Sequence, residues 1–466
     1  MLLAIGTTGC SRKSADGPRD VVFILLDAVR RDHLSVYGYE RDSSPNINKI
    51  AKEGVVFDRA YAPAPWTLAT IASLFTANMP QTHGAGVWSD DRSHGSPTAL
   101  SEHSVTLAER LKEYGYMSFC RSANAYISLG AEQGFDRSDT LPGNAKELVD
   151  WGLDAADEAG SRPMFLFLQF MDAHTARDLS DEFVNMYPTP GAGERSPRHR
   201  TFDPWIEKQF RGGDLKDFAT NRIAVYDGAI HLIDREIGRL IKGLEKRGRL
   251  DRTWFVIVVD HGEEFWEHLE VQEKNYHDSR GYFGVGHGHT MFEELIQVPL
   301  ILKGPEAKPG HRVQTPFSIV NVAPTLLDAL GSGPKLGSYT FGKSAFETLK
   351  GAPLAREPIY SQQILYGHSR RAIIDIDDWK YIHSYDPRER GFLFNLNSDP
   401  KELNNLIDVE RAKVEALKVK LETFFKSLPN ASDFSPSAIS DTAKDQLKGV
   451  GYLGGGKRPS SAPSNR

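Results

Sequence analysis

The chain has 466 residues, 40% hydrophobic and 25% charged, with a net charge of −6 and a pI near 6.2. This is the composition of a folded protein long enough for one large domain and an appendage, and it excludes a disordered chain. It offers no basic surplus for a nucleic-acid partner, no run of 18 apolar residues for a membrane-spanning helix, and only two cysteines, Cys10 and Cys120, too few for a disulfide framework or a thiolate zinc site.

Residues 1–19 open with MLLAIGTTGCSRKSADGPR, a short apolar run, small residues, then Cys10 and a polar spacer. The pattern is that of a bacterial lipoprotein leader with Cys10 as the lipid-bearing residue. It departs in having no basic start, a very short apolar run, and Thr7 where leucine is usual. The expectation is a periplasmic or cell-envelope location with possible membrane attachment through a lipid on Cys10; a ragged cytoplasmic N-terminus is the alternative.

Val21–Leu26 (VVFILL) is a continuous apolar run ending at Asp27, which reads as a parallel strand buried on both faces. In PWTLATIASLFT, Pro65 turns the chain into a helix whose first turn holds Thr67. A hydroxyl there, at an anion-receiving helix start and beside a divalent cation, is a nucleophile for phosphorus or sulfur, although threonine at such a place is also an ordinary N-cap. The strand pattern recurs at Met164–Phe170, followed by Asp172 and His174, and at Trp254–Val259, followed by Asp260 and His261. Between the last two, Ala176–Phe218 reads as a long irregular pocket loop. Ile223, Tyr226, Ile230, Ile233, Ile237, Leu240 and Leu244 then mark an amphipathic helix. Strands alternating with helices predict an α/β sheet covered on both faces, with ligands beyond the carboxyl ends of its strands.

Asp27, Asp260 and His261 at converging strand ends are a donor set for a divalent metal; a cap or an ion pair is the other reading. Five of the 15 histidines (His261, His268, His277, His287 and His289) fall within 29 residues. His277 reads as part of a solvated loop, whereas His287 and His289 sit in a glycine-flanked turn that allows close approach to a ligand. Near residue 346 a second unit begins, with short antiparallel strands at Arg371–Ile376, Trp379–His383 and Phe392–Asn395 and a helix from about Val409 to Phe425. The last residues, GGGKRPSSAPSNR, have no means of packing.

The ordered segments VVFILLDAVRRDHLSVYGYERDSSPNINKIAKEGVVFDRAYAPAPWTLATIASLFTANMPQTHG, FMDAHT, VVDHGEEFWEH and GHGHTMFEELIQVPLILKGP resemble the sulfatase family of the alkaline-phosphatase superfamily. VNVAPTLLDALG and DWKYIHSYDPRERGFLFNLNSDPKELNNL resemble its closing segments, so the resemblance spans roughly residues 20 to 428. It implies a mixed sheet flanked by helices with a small C-terminal antiparallel sheet plus helix. The divisions are a leader and spacer over 1–19, a catalytic domain over 20–345, a C-terminal subdomain over 346–428 and a flexible tail over 429–466. The resemblance places metal ligands at Asp27, Asp260 and His261, a substrate or leaving-group contact at His174, and pocket-lining residues around Asn124.

Two departures stand out. Ala28 replaces the second aspartate common in sulfatases, which puts a calcium site in doubt and favours zinc or manganese, with calcium or magnesium as the alternatives. In the nucleophile motif Thr67 stands where the family has the cysteine or serine matured to formylglycine, and Ile71 stands where it has arginine. Cys120 lies 53 residues further on, so formylglycine is not available. Threonine there resembles the phosphotransferase branches of the superfamily. The expected activity is metal-dependent hydrolysis of an anionic ester (of a small molecule, a glycan or a lipid headgroup), phosphoester or phosphonate rather than sulfate, through a covalent Thr67 intermediate. Thr67 joins the metal ligands, His174 with His287 or His289 serves the leaving oxygen, and Arg30 neutralises the anion. A sulfatase working through Thr67, a phosphoethanolamine-type transferase and a non-catalytic anionic-glycan binder are the alternatives.

Overall fold

A computed structural model describes residues 19–86, 97–175, 179–191, 215–275 and 283–431. Cys10, His277 and the final segment lie outside them. The strands of the main part are β1 (Asp20–Leu26), β2 (Val55–Tyr61), β3 (Met117–Ser122), β4 (Arg137–Thr140), β5 (Met164–Phe170), β6 (Thr253–Val259), β7 (Glu264–Phe265), β8 (Val285–Gly286), β9 (Gln297–Lys303), β10 (His311–Val313) and β11 (Phe317–Ser318). Nine of them form one sheet in the order β10-β2-β9-β6-β1-β5-β3-β4, with β11 also on β2. Only β9 runs antiparallel to its neighbours, β2 and β6. Every residue of β1, β5 and β6 is buried, which is why their sequences are unbroken apolar runs rather than alternating ones.

Helices pack in two groups. Leu215–Lys246 lies against Ala145–Ala159 and Pro45–Lys52, while Thr67–Thr76 lies against Leu107–Glu113 and Val322–Ala329. The long helix begins eight residues before Ile223, so Phe218 is in its first turn and buried. Asp181–Val184 is a helical turn as well; the rest of the expected loop between 176 and 214 is largely outside the described residues.

A second sheet, antiparallel throughout, comprises β12 (Ile359–Gln362), β13 (Arg370–Ile374), β14 (Trp379–Ser384) and β15 (Phe392–Asn395), covered by the helix Arg411–Ser427. β12 is an additional strand: its four residues, IYSQ, carry too little alternation to be read alone. It lies along the segment leading to Thr67, with Gln362 N donating to Pro63 O (2.8 Å) and Ser361 Oγ to Ala62 O (2.6 Å). The short helix Phe346–Leu349 packs on the core of the large sheet instead. The fold is α/β, a central mixed sheet flanked by helices with a C-terminal antiparallel sheet and helix. Among the described residues no helix is long and apolar enough to cross a membrane.

Candidate active site

Register assembles the site. β1 is central, with Leu26 paired to Phe170 of β5 on one side and Val259 of β6 on the other. The next residues, Asp27 and Asp260, therefore emerge side by side, and Asp27 N–H donates to Phe170 O (2.9 Å). Both carboxylates are fully buried. Asn124 Nδ2 (3.0 Å) and Gln169 Nε2 (2.8 Å) donate to Asp27 Oδ2. The backbone N–H groups of Ala28 (3.3 Å) and His261 (3.0 Å) donate to Asp260 Oδ1. The other oxygen of each, Asp27 Oδ1 and Asp260 Oδ2, has no hydrogen-bond partner. These two lie 3.6 and 3.4 Å from His261 Nε2.

Such a pair is costly without a cation. Asp20, at the opposite end of β1, is as deeply buried but is paired with Arg249 (2.8 Å) and Arg252 (3.0 Å). Among the described residues no lysine or arginine pairs with Asp27 or Asp260. Burial, reinforced by the Asp27 charge, pushes the Asp260 carboxyl up to about 7. Two orphaned carboxylate oxygens and an imidazole nitrogen within 4.8 Å of one another fit a divalent ion.

Thr67 completes this cluster. It is the first residue of its helix; the N-cap is Trp66, which is extended and makes no side-chain cap. The Thr67 hydroxyl points to His261 Nε2 at 3.1 Å instead of capping. His261 Nδ1 bonds the carbonyl of Gly262 (2.9 Å), which only accepts, so Nδ1 carries the proton and Nε2 presents its lone pair to the Thr67 O–H. Gly262 is required here, since a Cβ would lie 1.8 Å from Glu294 O. Ala28 has a left-handed backbone (φ 59°), held by its N–H on Asp260 and by the Tyr226 hydroxyl on its carbonyl (2.7 Å). Ile71 is buried in the main hydrophobic core, so no cation reaches the site from that position.

Three imidazoles cluster here, His287 tilted against His261 and edge-on to His174. The His287 ring lies 4.2 Å from that of His261 and 4.8 Å from that of His174, centroid to centroid. His287 Nδ1 bonds Glu263 Oε2 at 2.8 Å. His174 follows β5 in the helical turn Asp172–Thr175.

The remaining expected residues are placed differently. Asn124 braces Asp27, and its Oδ1 is engaged by Tyr126 N–H (3.0 Å). Arg30 is taken up by Asp32 (2.7 Å), Glu267 and the Glu263 carbonyl (3.1 Å), and faces a separate charged cleft of about 930 Å³ with Arg59, Glu293 and Lys401. His289 Nε2 bonds Glu264 (2.8 Å) and not Glu263. Glu264 also accepts from Gln272 (2.7 Å), and nearby His268 bonds Glu294 (2.8 Å) and the Lys401 carbonyl (3.1 Å). Burial disfavours a charged His268, but Glu294, then Glu264 and Glu402, outweigh it and raise its pKa to about 10. With both ring nitrogens committed, this second carboxylate–histidine group is an ion network joining the two sheets.

Two residues at the site were not anticipated. Gln169 is the next-to-last residue of β5 and its one polar member, a signal visible in MFLFLQF. Glu263 stands beside an identical residue, and nothing local distinguishes the two.

A family model described as Sulfatase matches residues 19–332, and one described as N-sulphoglucosamine sulphohydrolase, C-terminal, matches residues 281–428. An arylsulfatase of Clostridium perfringens is 25% identical over 464 residues, covering 84% of this chain and 91% of that one. A structure solved with its substrate D-glucosamine-2-N,6-O-disulfate superimposes with a TM-score of 0.71 at 20% identity, covering 90% of this chain and 99% of the other. The phosphonate monoester hydrolase of Agrobacterium radiobacter gives 0.65 at 19% identity, covering 91% and 98%.

Proposed function

This chain belongs to the sulfatase family of ester hydrolases, and from that premise we propose that it hydrolyses phosphate or phosphonate esters through a covalent intermediate on Thr67. The observation that carries the reading is the Thr67 hydroxyl, 3.1 Å from His261 Nε2 and beside Asp27 and Asp260, at a position where the family's formylglycine cannot form. An aldehyde hydrate expels sulfate by elimination; a threonine ester has no such route and must be cleaved by attack at phosphorus or sulfur. The fold does not choose between the two, since its solved neighbours include proteins described as acting on sulfated sugars and on phosphonates.

In this reading Asp27 Oδ1, Asp260 Oδ2, His261 Nε2 and Thr67 Oγ1 hold a divalent ion, zinc or manganese, because four donors are too few for calcium and Ala28 adds none. When bound, the ion acidifies the Thr67 hydroxyl and offsets the negative charge of the ester. Thr67 attacks in line. The N–H groups at the start of its helix face the anion, and His174 and His287 meet the charge that the missing arginine meets elsewhere in the family. Asn124 and Gln169 keep Asp27 oriented.

The test is metal analysis of the purified protein together with rates on aryl phosphate mono- and diesters, a phosphonate and a sulfate, with Thr67→Ala as control. Phosphorus esters are expected to turn over fastest, and Thr67→Ala to lose turnover on all of them. Full activity in Thr67→Ala overturns the reading. A preference for sulfate makes the protein a threonine-dependent sulfatase, as its sulfatase relatives' activities favour, and transfer to an acceptor in place of phosphate release makes it a transferase. Absence of both metal and turnover leaves the glycan binder.

A further inference from the structure

The sequence places two glutamates in succession, Glu263 and Glu264, and two histidines one residue apart, His287 and His289. The structure sorts them into two pairs. β7 and β8 are antiparallel with Glu264 opposite Gly286, a register that sets Glu263 directly opposite His287. Neighbouring residues of a strand point to opposite faces. Glu263 therefore turns to the face where His287 lies beside His261, while Glu264, on the other face, bonds His289, which lies beyond the two-residue β8. Glu263 is buried and its Oε2 is 2.8 Å from His287 Nδ1. The His287 ring itself covers His261, whose Nε2 receives the Thr67 hydroxyl.

We propose that Glu263 is a positioning residue for the leaving-group step: it fixes a proton on His287 Nδ1 and the plane of the ring, so that any action of His287 on substrate runs through Nε2. This rests on the reading of Thr67 as nucleophile. Thr67 enters as the alkoxide, its proton already released to solvent. As the Thr67 Oγ–phosphorus bond forms, the phosphorus–oxygen bond to the leaving group breaks with its electron pair on oxygen, and the Nε2 proton of the His287 imidazolium passes to that oxygen. In the second half His287 Nε2 takes a proton from the water that attacks the phosphothreonine, Thr67 departs as the alkoxide, and phosphate or phosphonate is released. Glu263 Oε2 keeps its hydrogen bond from His287 Nδ1–H through both halves, as an orienting acid does beside a catalytic histidine. His289, turned to Glu264, takes no part.

The experiment compares wild type with Glu263→Gln on two substrates of the same phosphoryl group, a p-nitrophenyl ester and an alkyl ester. The first leaving group departs without a proton and the second needs one. Glu263→Gln keeps the shape and an acceptor but removes the charge. Expected is a loss in kcat on the order of 10²-fold for the alkyl ester, a loss several-fold at most for the nitrophenyl ester, little change in KM, and unchanged metal content. Equal losses on both substrates, or lost metal, show a structural role and overturn the proposal, as does no change at all. The protonation of His287 Nδ1 is read independently of turnover from 15N-histidine spectra, with His287→Asn to assign the ring. A protonated Nδ1 in wild type that is lost in Glu263→Leu supports the pairing, and an unprotonated Nδ1 in wild type overturns it. If wild type cleaves no ester, the reading of Thr67 fails while the spectra still decide whether Glu263 sets the His287 ring.

Discussion

Replacing Gln169 by leucine isolates the brace on Asp27. Gln169 Nε2 and Asn124 Nδ2 both donate to Asp27 Oδ2, at 2.8 and 3.0 Å, which turns Oδ1 toward His261 and Asp260. Ser122 Oγ in turn donates to Gln169 Oε1 (2.7 Å) and holds the amide the right way round. Leucine fills similar space and removes one hydrogen bond to a buried carboxylate, worth about 1.5–3 kcal/mol. At about 1.4 kcal/mol per tenfold, metal affinity should fall on the order of 10- to 100-fold, the range seen for residues that orient metal ligands. Competition with a chromogenic chelator measures it, with elemental analysis to confirm the ion. The metal-free variant should also unfold earlier than metal-free wild type, because the buried Asp27 carboxylate and Ser122 Oγ each lose one hydrogen bond. Metal affinity within twofold of wild type, combined with a normal fold, would refute the idea that this amide pair sets the Asp27 geometry.

Ile71→Arg, which writes the family's arginine back into the motif, should destabilise the protein by several kcal/mol and gain no sulfatase activity, since residue 71 points into the apolar core; a soluble, stable variant with raised sulfate turnover would be the opposite result. The His268 network gives stability a pH dependence. Its pKa rises from an ordinary value of 6.5 to about 10 on folding, so its contribution is fully present below about 6.5 and is lost as pH rises through about 10. Urea midpoints should fall over that window and fall less in His268→Gln; parallel profiles for the two proteins would contradict the assignment. Adding zinc or manganese to chelator-treated protein should raise the melting temperature with metal concentration. Asp27→Asn and Asp260→Asn should lose that response, and an equal response in either variant would place the ion elsewhere.

Strand positions were legible because they depend on local composition: a strand buried on both faces must be apolar almost throughout, and VVFILL, MFLFLQF (with Gln169 its one polar residue) and WFVIVV are. The polar residues that end them were legible for the same reason, as were the departures at residues 28, 67 and 71, where identity alone limits the chemistry. The partners of those residues were not. Asn124 turned out to hold Asp27, Arg30 is consumed by Asp32 and Glu267, and the two histidines of the glycine turn are divided between Glu263 and Glu264. Each of these pairings, save Arg30 with Asp32, joins segments some 24 to 240 residues apart. The register of β7 on β8 sets Glu263 opposite His287, where a shift of one residue would exchange it for Glu264, and the chain beyond β8 brings His289 to Glu264. The sequence by itself determined the donors available at the strand ends; only the tertiary structure decided which of them face the Thr67 hydroxyl and which are spent holding the two sheets together.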